Sequence, residues 1–388
     1  MTSDSKKPIT VVTTFTPMAT RGGSYIRIGA TVRALANRRP VKVILITSPD
    51  DPLWAEGLSQ LEASGLDCSS IAEAELSTAG RWRRLFADLT AMVAPGFANR
   101  MLPQFGHSAI DEHDGDLWVF KTTLLDGRRI PEKGQVIVDL DDLKERTLQL
   151  RWTIPHLLHR LHLVSQRQRA VAIASVALVC STRDRQRLHR HLTIDVLPNT
   201  YLLREEPPPI PIPRCEPIVA MVGRMAYRPN REGAEWFATE CWPLIRSRIP
   251  TARCRLMGEG AHVLDSLAGN GLEIIDDVPD PIEFLNDVAV IAAPIFRGSG
   301  TRVKILEAMA LGIPVVSTQV GAEGLEVTDG VDILLSDSPE AFAGAIARLL
   351  ANPELANDIG QRGTEVFDAL YRFDRFQVHI NRILDHIE

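Results

Sequence analysis

Cysteine is scarce and dispersed in this chain. Cys68, Cys180, Cys215, Cys241 and Cys254 form no C-x-x-C pair and no Cys/His cluster at zinc spacing. Scattered thiols, odd in number, argue against a disulfide framework or a zinc ribbon and fit a reducing compartment. Long apolar runs are also missing. None approaches the roughly 20 residues that span a bilayer, and the segment from Met1 to Pro8 lacks the apolar core of a secretion signal. The expectation is a cytoplasmic protein. Aromatics reach only 6% and the net charge is −6, which speaks against nucleic-acid binding. A G-x-G-x-x-G opening a helix near the first strand, with an acid about 20 residues on, is absent, which argues against a dehydrogenase.

What is there divides in two. A chain of 388 residues exceeds one ordinary core and suggests two domains. Residues 1–214 hold 28 Lys and Arg against 23 Asp and Glu, whereas residues 215–388 hold 15 against 26. The break from net +5 to net −11 falls at Glu205-Glu206-Pro207-Pro208-Pro209-Ile210-Pro211-Ile212-Pro213, where five prolines in seven residues favour extended structure. The expected organisation is an N-terminal domain 1–205, a linker 206–214, a C-terminal domain 215–365 and a final helix 366–388 that can cross back to the first domain.

Strands alternate with helices in both halves. The first half opens with strand Ile9–Phe15, a loop bearing Arg21-Gly22-Gly23-Ser24, helix Tyr25–Ala36 and strand Val41–Thr47. Residues 50–116 give no clear pattern. Strands at Leu117–Phe120 and Val136–Leu140 precede one long helix, Leu143–Ala174, and strands Val176–Ser181 and Thr193–Leu197. The second half predicts strands at Ile218–Val222, Cys254–Met257, Leu272–Ile275, Val288–Ile295, Pro314–Ser317 and Ile333–Leu335. Between and after them fall helices at Arg231–Arg246, Val263–Ala268, Pro281–Asn286, Arg302–Leu311, Pro339–Leu350 and Pro353–Ile387. This is α/β: two doubly wound, Rossmann-like domains with parallel sheets. Their carboxyl edges are expected to face each other across a ligand-binding cleft.

The strongest chemical signal is Phe296-Arg297-Gly298-Ser299-Gly300-Thr301-Arg302-Val303-Lys304-Ile305-Leu306-Glu307. A buried strand, a glycine turn and a helix start offer backbone N–H groups to a phosphate. Gly298 and Gly300 let the backbone approach closely, and Ser299 or Thr301 can cap the helix. Lys304 adds a cation, and Glu307 an acceptor one turn on. A nucleoside diphosphate fits: the diphosphate on the amides and cation, the ribose diol on the carboxylate. Arg224, in Val222-Gly223-Arg224-Met225-Ala226-Tyr227-Arg228-Pro229-Asn230-Arg231, ends a strand and suits a phosphate, with Arg228 or Arg231 adding charge.

Other segments carry less. Gly22 and Gly23 sit where a helix start would meet a ligand, or form a tight turn. Met257-Gly258-Glu259-Gly260 contacts a base through its backbone or simply turns the chain. Asp139-Leu140-Asp141-Asp142 is a D-x-D after an apolar strand, read as a metal site or, preferably, as a helix cap. The Arg- and His-rich stretch from Arg151 to His191, with Arg81-Trp82-Arg83-Arg84-Leu85-Phe86, is a solvated face or a contact for anionic lipid headgroups. Peripheral attachment at the inner face of a membrane therefore stays open.

The second half resembles the donor domain of retaining, GT-B-fold glycosyltransferases of family 4 (glycosyl transferases group 1). The resemblance rests on VGRMAYRPNREGAEWF, MGEGAHVL, VPDPIEFLNDVAVIAAPIFRGSGTRVKILEAMALGIPVVST and GAEGLEVTDGVDILL. It covers roughly residues 218–365; the first half resembles the family only through TRGGSYIR and CSTRDRQRL…VLPN. The resemblance implies transfer of a sugar from a nucleoside diphosphate sugar to a hydroxyl acceptor, with retention and without metal or cofactor. It implies Glu307 on the ribose, Arg224 and Lys304 on the diphosphate, Gly298–Thr301 beside phosphate and sugar, and Gly22 and Gly23 opposite. Ser299 departs from the family's usual glutamate eight positions before Glu307. A lysine usual a few residues after the strand-one arginine is also missing, leaving its part to Arg228, Arg231 or Lys304. Asp141 and His107 are the candidate catalytic groups. A sugar-nucleotide 2-epimerase and a nucleotide-binding scaffold without catalysis are the rival readings. The acceptor is expected to be a glycan or a lipid-linked glycan, as in polysaccharide assembly.

Overall fold

A computed structural model describes residues 7–14, 23–47, 63, 65–72, 87–91, 94, 98, 115–120, 122–125, 134–141, 143, 153–188, 194–201, 216–276, 284–298 and 300–388. The linker 206–214, Gly22, His107 and Ser299 lie outside these residues, as do Arg81 to Phe86 and the stretch 189–193. The chain divides into two compact units. The first comprises Met1–Pro198 with Phe376–Glu388, and the second Asn199–Arg375.

In the first unit the strands are β1 (Ile9–Thr13), β2 (Val41–Thr47), β3 (Asp67–Ala72), β4 (Asp116–Val119), β5 (Val136–Asp139), β6 (Val176–Val179) and β7 (Ile194–Val196). They form one parallel sheet in the order β3-β2-β1-β4-β5-β6-β7. The order reverses between β1 and β4, which is where open α/β sheets bind ligands. Helices α1 (Gly23–Ala36), α2 (Ile154–Ile173) and α3 (Thr182–Arg187) are described beside it, with a 3-10 segment at Thr122–Leu125. Strands β1, β4 and β5 are buried along their whole length, as expected for a sheet covered on both faces.

The expected helix Leu143–Ala174 is shorter. It begins at Ile154, with Thr153 extended ahead of it and Pro155 in its first turn, a position that proline tolerates because the N–H there has no intrahelical partner.

The second unit carries β8 (Ile218–Val222), β9 (Arg253–Met257), β10 (Leu272–Ile275), β11 (Val290–Ala293), β12 (Val315–Ser317) and β13 (Leu334–Leu335). These form a second parallel sheet, ordered β10-β9-β8-β11-β12-β13, with its reversal between β8 and β11. The expected helix Arg231–Arg246 is a composite: α4 (Arg228–Trp236), one π turn (Phe237–Cys241) and α5 (Trp242–Arg248). Pro243 in the first turn of α5 has no N–H to offer a preceding carbonyl, which accounts for the break in register. The expected helix Val263–Ala268 is a 3-10 segment, Ala261–Leu267. Then come α6 (Val303–Ala310), α7 (Pro339–Ala351), α8 (Pro353–Leu370) and α9 (Phe373–Ile387). The last two were expected as one helix; Tyr371, with φ −121°, ends α8.

The core of the second unit gathers Phe237, Trp242, Phe342 and Ile346 with Leu256 and Val290. Trp236 and Phe237 meet Phe342 edge-on, with ring centroids 5.4 and 6.2 Å apart. From Phe376 onward, α9 and the terminal Glu388 belong to the first unit. Gln377 donates to the carbonyl of Ala34 at 2.9 Å, and Arg38 pairs with Asp385 at 2.7 Å.

Candidate active site

In the second unit the sequence places its chemistry at the reversal point, on the loops that follow β8 and β11. Helix α6 shows why. Val303, Ile305, Leu306, Ala308, Met309 and Ala310 are buried and fix the face that the helix turns to the core. The remaining residues of the first turns, Lys304 and Glu307, are three apart, so they lie on one half-buried face. Gly312, at φ +64°, closes the helix.

Its start is open. Arg302 occupies the N-cap position and makes no side-chain cap. The expected cap by Thr301 is therefore not formed, and Ser299 is not described. Thr301 is instead 6% exposed, and its Oγ1 has no partner among the described residues. A buried hydroxyl without a partner is costly. It sits beside first-turn N–H groups that have no intrahelical acceptor. The preceding turn needs glycine: Gly298 has φ +125°, and a Cβ there would come within 2.8 Å of the Arg302 guanidinium.

Lys304 points back to the end of β8. Its Nζ donates to Asn230 Oδ1 at 2.8 Å, and Asn230 Nδ2 donates to the carbonyl of Arg224 at 2.9 Å. A Cβ on Gly223 would stand 2.7 Å from Asn230 Nδ2 and 2.8 Å from Lys304 Nζ, so these three residues close on one point. The residue is part-buried overall. Burial and the nearby Arg302 push the Lys304 pKa down to about 7, and Glu307 opposes them. Glu307 Oε1 in turn accepts from the Tyr201 hydroxyl at 3.0 Å.

The flanking cations are engaged. Arg224 forms a two-point pair with Glu259, at 2.8 and 3.1 Å, rather than standing open to a ligand. Arg228 meets Glu232 at 2.8 Å, one helical turn on, and Arg297 also contacts Glu232. The loops after β8 and β9 touch through their backbones: the N–H of Met225 donates to the Glu259 carbonyl at 2.8 Å, and a Cβ on Gly258 would stand 2.3 Å from the Gly223 oxygen.

In the first unit, Asp141 stands just past the carboxyl end of β5 with φ +42°, a left-handed conformation uncommon outside glycine. Ser24, in the first turn of α1, donates to Asp141 Oδ2 at 2.9 Å, and Cys180 Sγ donates to its carbonyl at 2.8 Å. Asp139 is fully buried and bound by Arg27 at 2.9 and 3.0 Å. Burial alone would lower the Arg27 pKa, but Asp139, Cys180 and Asp141 raise it on balance. The first carboxylate of the D-x-D thus serves Arg27. Gly23 opens α1 and is exposed.

Two residues escaped the sequence reading. Asn230 lay inside the quoted VGRMAYRPNREGAEWF segment, and its place in the first turn of a helix six residues after Arg224 was the available signal. Tyr201 follows β7 with no periodic pattern around it.

Two parallel, doubly wound units define the GT-B architecture of glycosyltransferases. Residues 216–352 match the sequence model of the family described as Glycosyl transferases group 1. Over 76 residues the chain is 42% identical to a trehalose synthase of Rubrobacter xylanophilus, a stretch that makes up 20% of this chain and 18% of that protein. The chain spans 18% and 37% of the curated relatives it matches. Its fold is similar to that of sucrose-phosphate synthase from Thermosynechococcus elongatus, with TM-score 0.65, 20% identity, and 98% and 99% of the two chains covered. It is also similar to Anabaena Alr3699/HepE in complex with UDP and glucose, with TM-score 0.63, 14% identity, and 97% and 99% covered.

Proposed function

We propose that the protein transfers a sugar, with retention and without a metal, from a nucleoside diphosphate sugar to a hydroxyl of a glycan or lipid-linked acceptor. The observation that carries this reading is the open start of α6. There Lys304, Glu307 and the buried hydroxyl of Thr301, without a partner among the described residues, share one helix end at the sheet's reversal point. The hard step is departure of the diphosphate. Lys304, the first-turn N–H groups and the helix dipole stabilise the charge that grows on it, and Arg224 joins them by exchanging Glu259 for phosphate. Fixed cations of this kind supply what a metal would otherwise bring. Glu307, already steadied by Tyr201, takes the ribose diol and orients the donor. Since a structural neighbour holds UDP and glucose, a UDP-linked sugar is the first donor to try. On the acceptor side Asp141 is held at a strand end by Ser24, and with His107 it is the candidate proton acceptor.

Glu307→Ala removes a charged hydrogen-bond acceptor worth about 1.5–3 kcal/mol. The expected result is UDP binding weakened about 10- to 100-fold by calorimetry, with the fold intact; unchanged affinity refutes the assignment. A second reading, a nucleotide-binding scaffold, draws on Ser299 in place of a second glutamate. Release of free nucleoside diphosphate from a panel of nucleotide sugars, in the presence of acceptor glycans, separates the two.

A further inference from the structure

We infer that Asn230 is the positioning residue of the donor site, setting the direction of Lys304 and the path of the Arg224 loop together so that two cations address one diphosphate. The inference rests on the donor reading above and adds a residue to it. Asn230 is 9% exposed and comes from α4, an element other than the one that carries Lys304. Its amide orientation is forced by chemistry. The Arg224 carbonyl can only accept and the Lys304 ammonium only donates, so Nδ2 must face the first and Oδ1 the second. A carboxylate could receive the ammonium but could not donate to the carbonyl. An alanine could do neither. The amide is thus the short side chain that satisfies both neighbours from one planar group.

The packing supports this. Gly223 lies against both ends of the contact, and any Cβ there would intrude on Asn230 Nδ2 and Lys304 Nζ alike. The influences on the Lys304 proton are burial, the largest, and Arg302, which both oppose it, and Glu307, which supports it. Asn230 adds a neutral acceptor to this set. It therefore directs the ammonium without fixing its charge, leaving the charge to respond to an arriving diphosphate.

The test uses the full chain with lysine labelled at 13Cε. Beyond Lys144 the sequence holds no lysine but Lys304, and the Lys304→Arg variant assigns its signal. In the ligand-free protein, Asn230→Asp is expected to raise the Lys304 titration midpoint by about one pH unit or more, as an opposite charge in contact does. Asn230→Ala is expected to weaken UDP binding by about tenfold or more at pH 6.5, because Lys304 and the Arg224 loop lose their common anchor. A midpoint that does not move in Asn230→Asp, or full UDP affinity in Asn230→Ala, overturns the assignment. If the midpoint moves as expected while the wild-type protein binds no nucleoside diphosphate, the donor reading falls and the positioning role stands.

Discussion

A lysine whose pKa has been pushed down to about 7 makes donor binding depend on pH in a calculable way. Lys304 is cationic below this value and neutral above it. From the definition of a pKa, roughly nine-tenths of the molecules carry the charge at pH 6 and roughly one-tenth at pH 8. A charge-assisted contact from ammonium to phosphate contributes about 1.5–3 kcal/mol, a factor of about 10 to 150 in affinity. Affinity should therefore fall as pH rises, by about five- to tenfold between pH 6 and 8. It should then level off where the neutral form's own affinity takes over. UDP-glucose is the suitable probe because its phosphates, being esterified at both ends, do not titrate in this window. Calorimetry at pH 6, 7, 8 and 9 reads the curve, and Lys304→Met supplies the control with low, nearly flat affinity. A flat wild-type curve refutes the reasoning. So does a slope that survives in Lys304→Met, since another group would then be titrating.

Three further outcomes follow from the packing. Gly233 lies in α4 against the end of β11, and a Cβ there would fall 2.0 Å from the Pro294 carbonyl oxygen, which is backbone and cannot swing aside. Gly233→Ala should cost more than about 3 kcal/mol, read as a collapse of the denaturant midpoint. Asp139→Ala strands Arg27, 1% exposed, without its buried partner. A loss of about 3–5 kcal/mol is expected in urea unfolding, and a loss under 1 kcal/mol would contradict the burial of the pair. Leu157 and Leu158, 50% and 47% exposed, stand on α2 beside His159 and Arg160. If this face meets a bilayer, the chain cosediments with anionic vesicles at low salt and is released by high salt; no sedimentation removes the membrane contact.

The alternation of strands and helices was legible because buried parallel strands read as short apolar runs bounded by turn residues. Lys304 and Glu307 were legible for a related reason. The apolar spacing of α6 fixes which residues it buries, and the two polar ones are what remains. What sequence left dark depended on contacts between distant segments. Tyr201 reaches Glu307 across 106 positions and Asn230 reaches Lys304 across 74, and no local pattern encodes either distance. The partner of Arg224 was hidden likewise. Glu259 belongs to the next strand's loop, and only the sheet register brings β8 beside β9. The π turn inside the expected Arg231–Arg246 helix was missed because a single proline marks it, where continuous helical periodicity was the louder signal.

Helix α6 works like a keyed shaft. Six of its eight residues are buried, so a turn of one residue, about 100°, would drive a charge into the core and lift an apolar side chain out. The angle at which Lys304 and Glu307 meet a ligand is therefore inherited from the side chains beneath, Leu306 and Met309 among them. Substitutions there would never touch a nucleotide, yet they would register as changes in its affinity. In this unit the hydrophobic core and the binding constant are not separately adjustable.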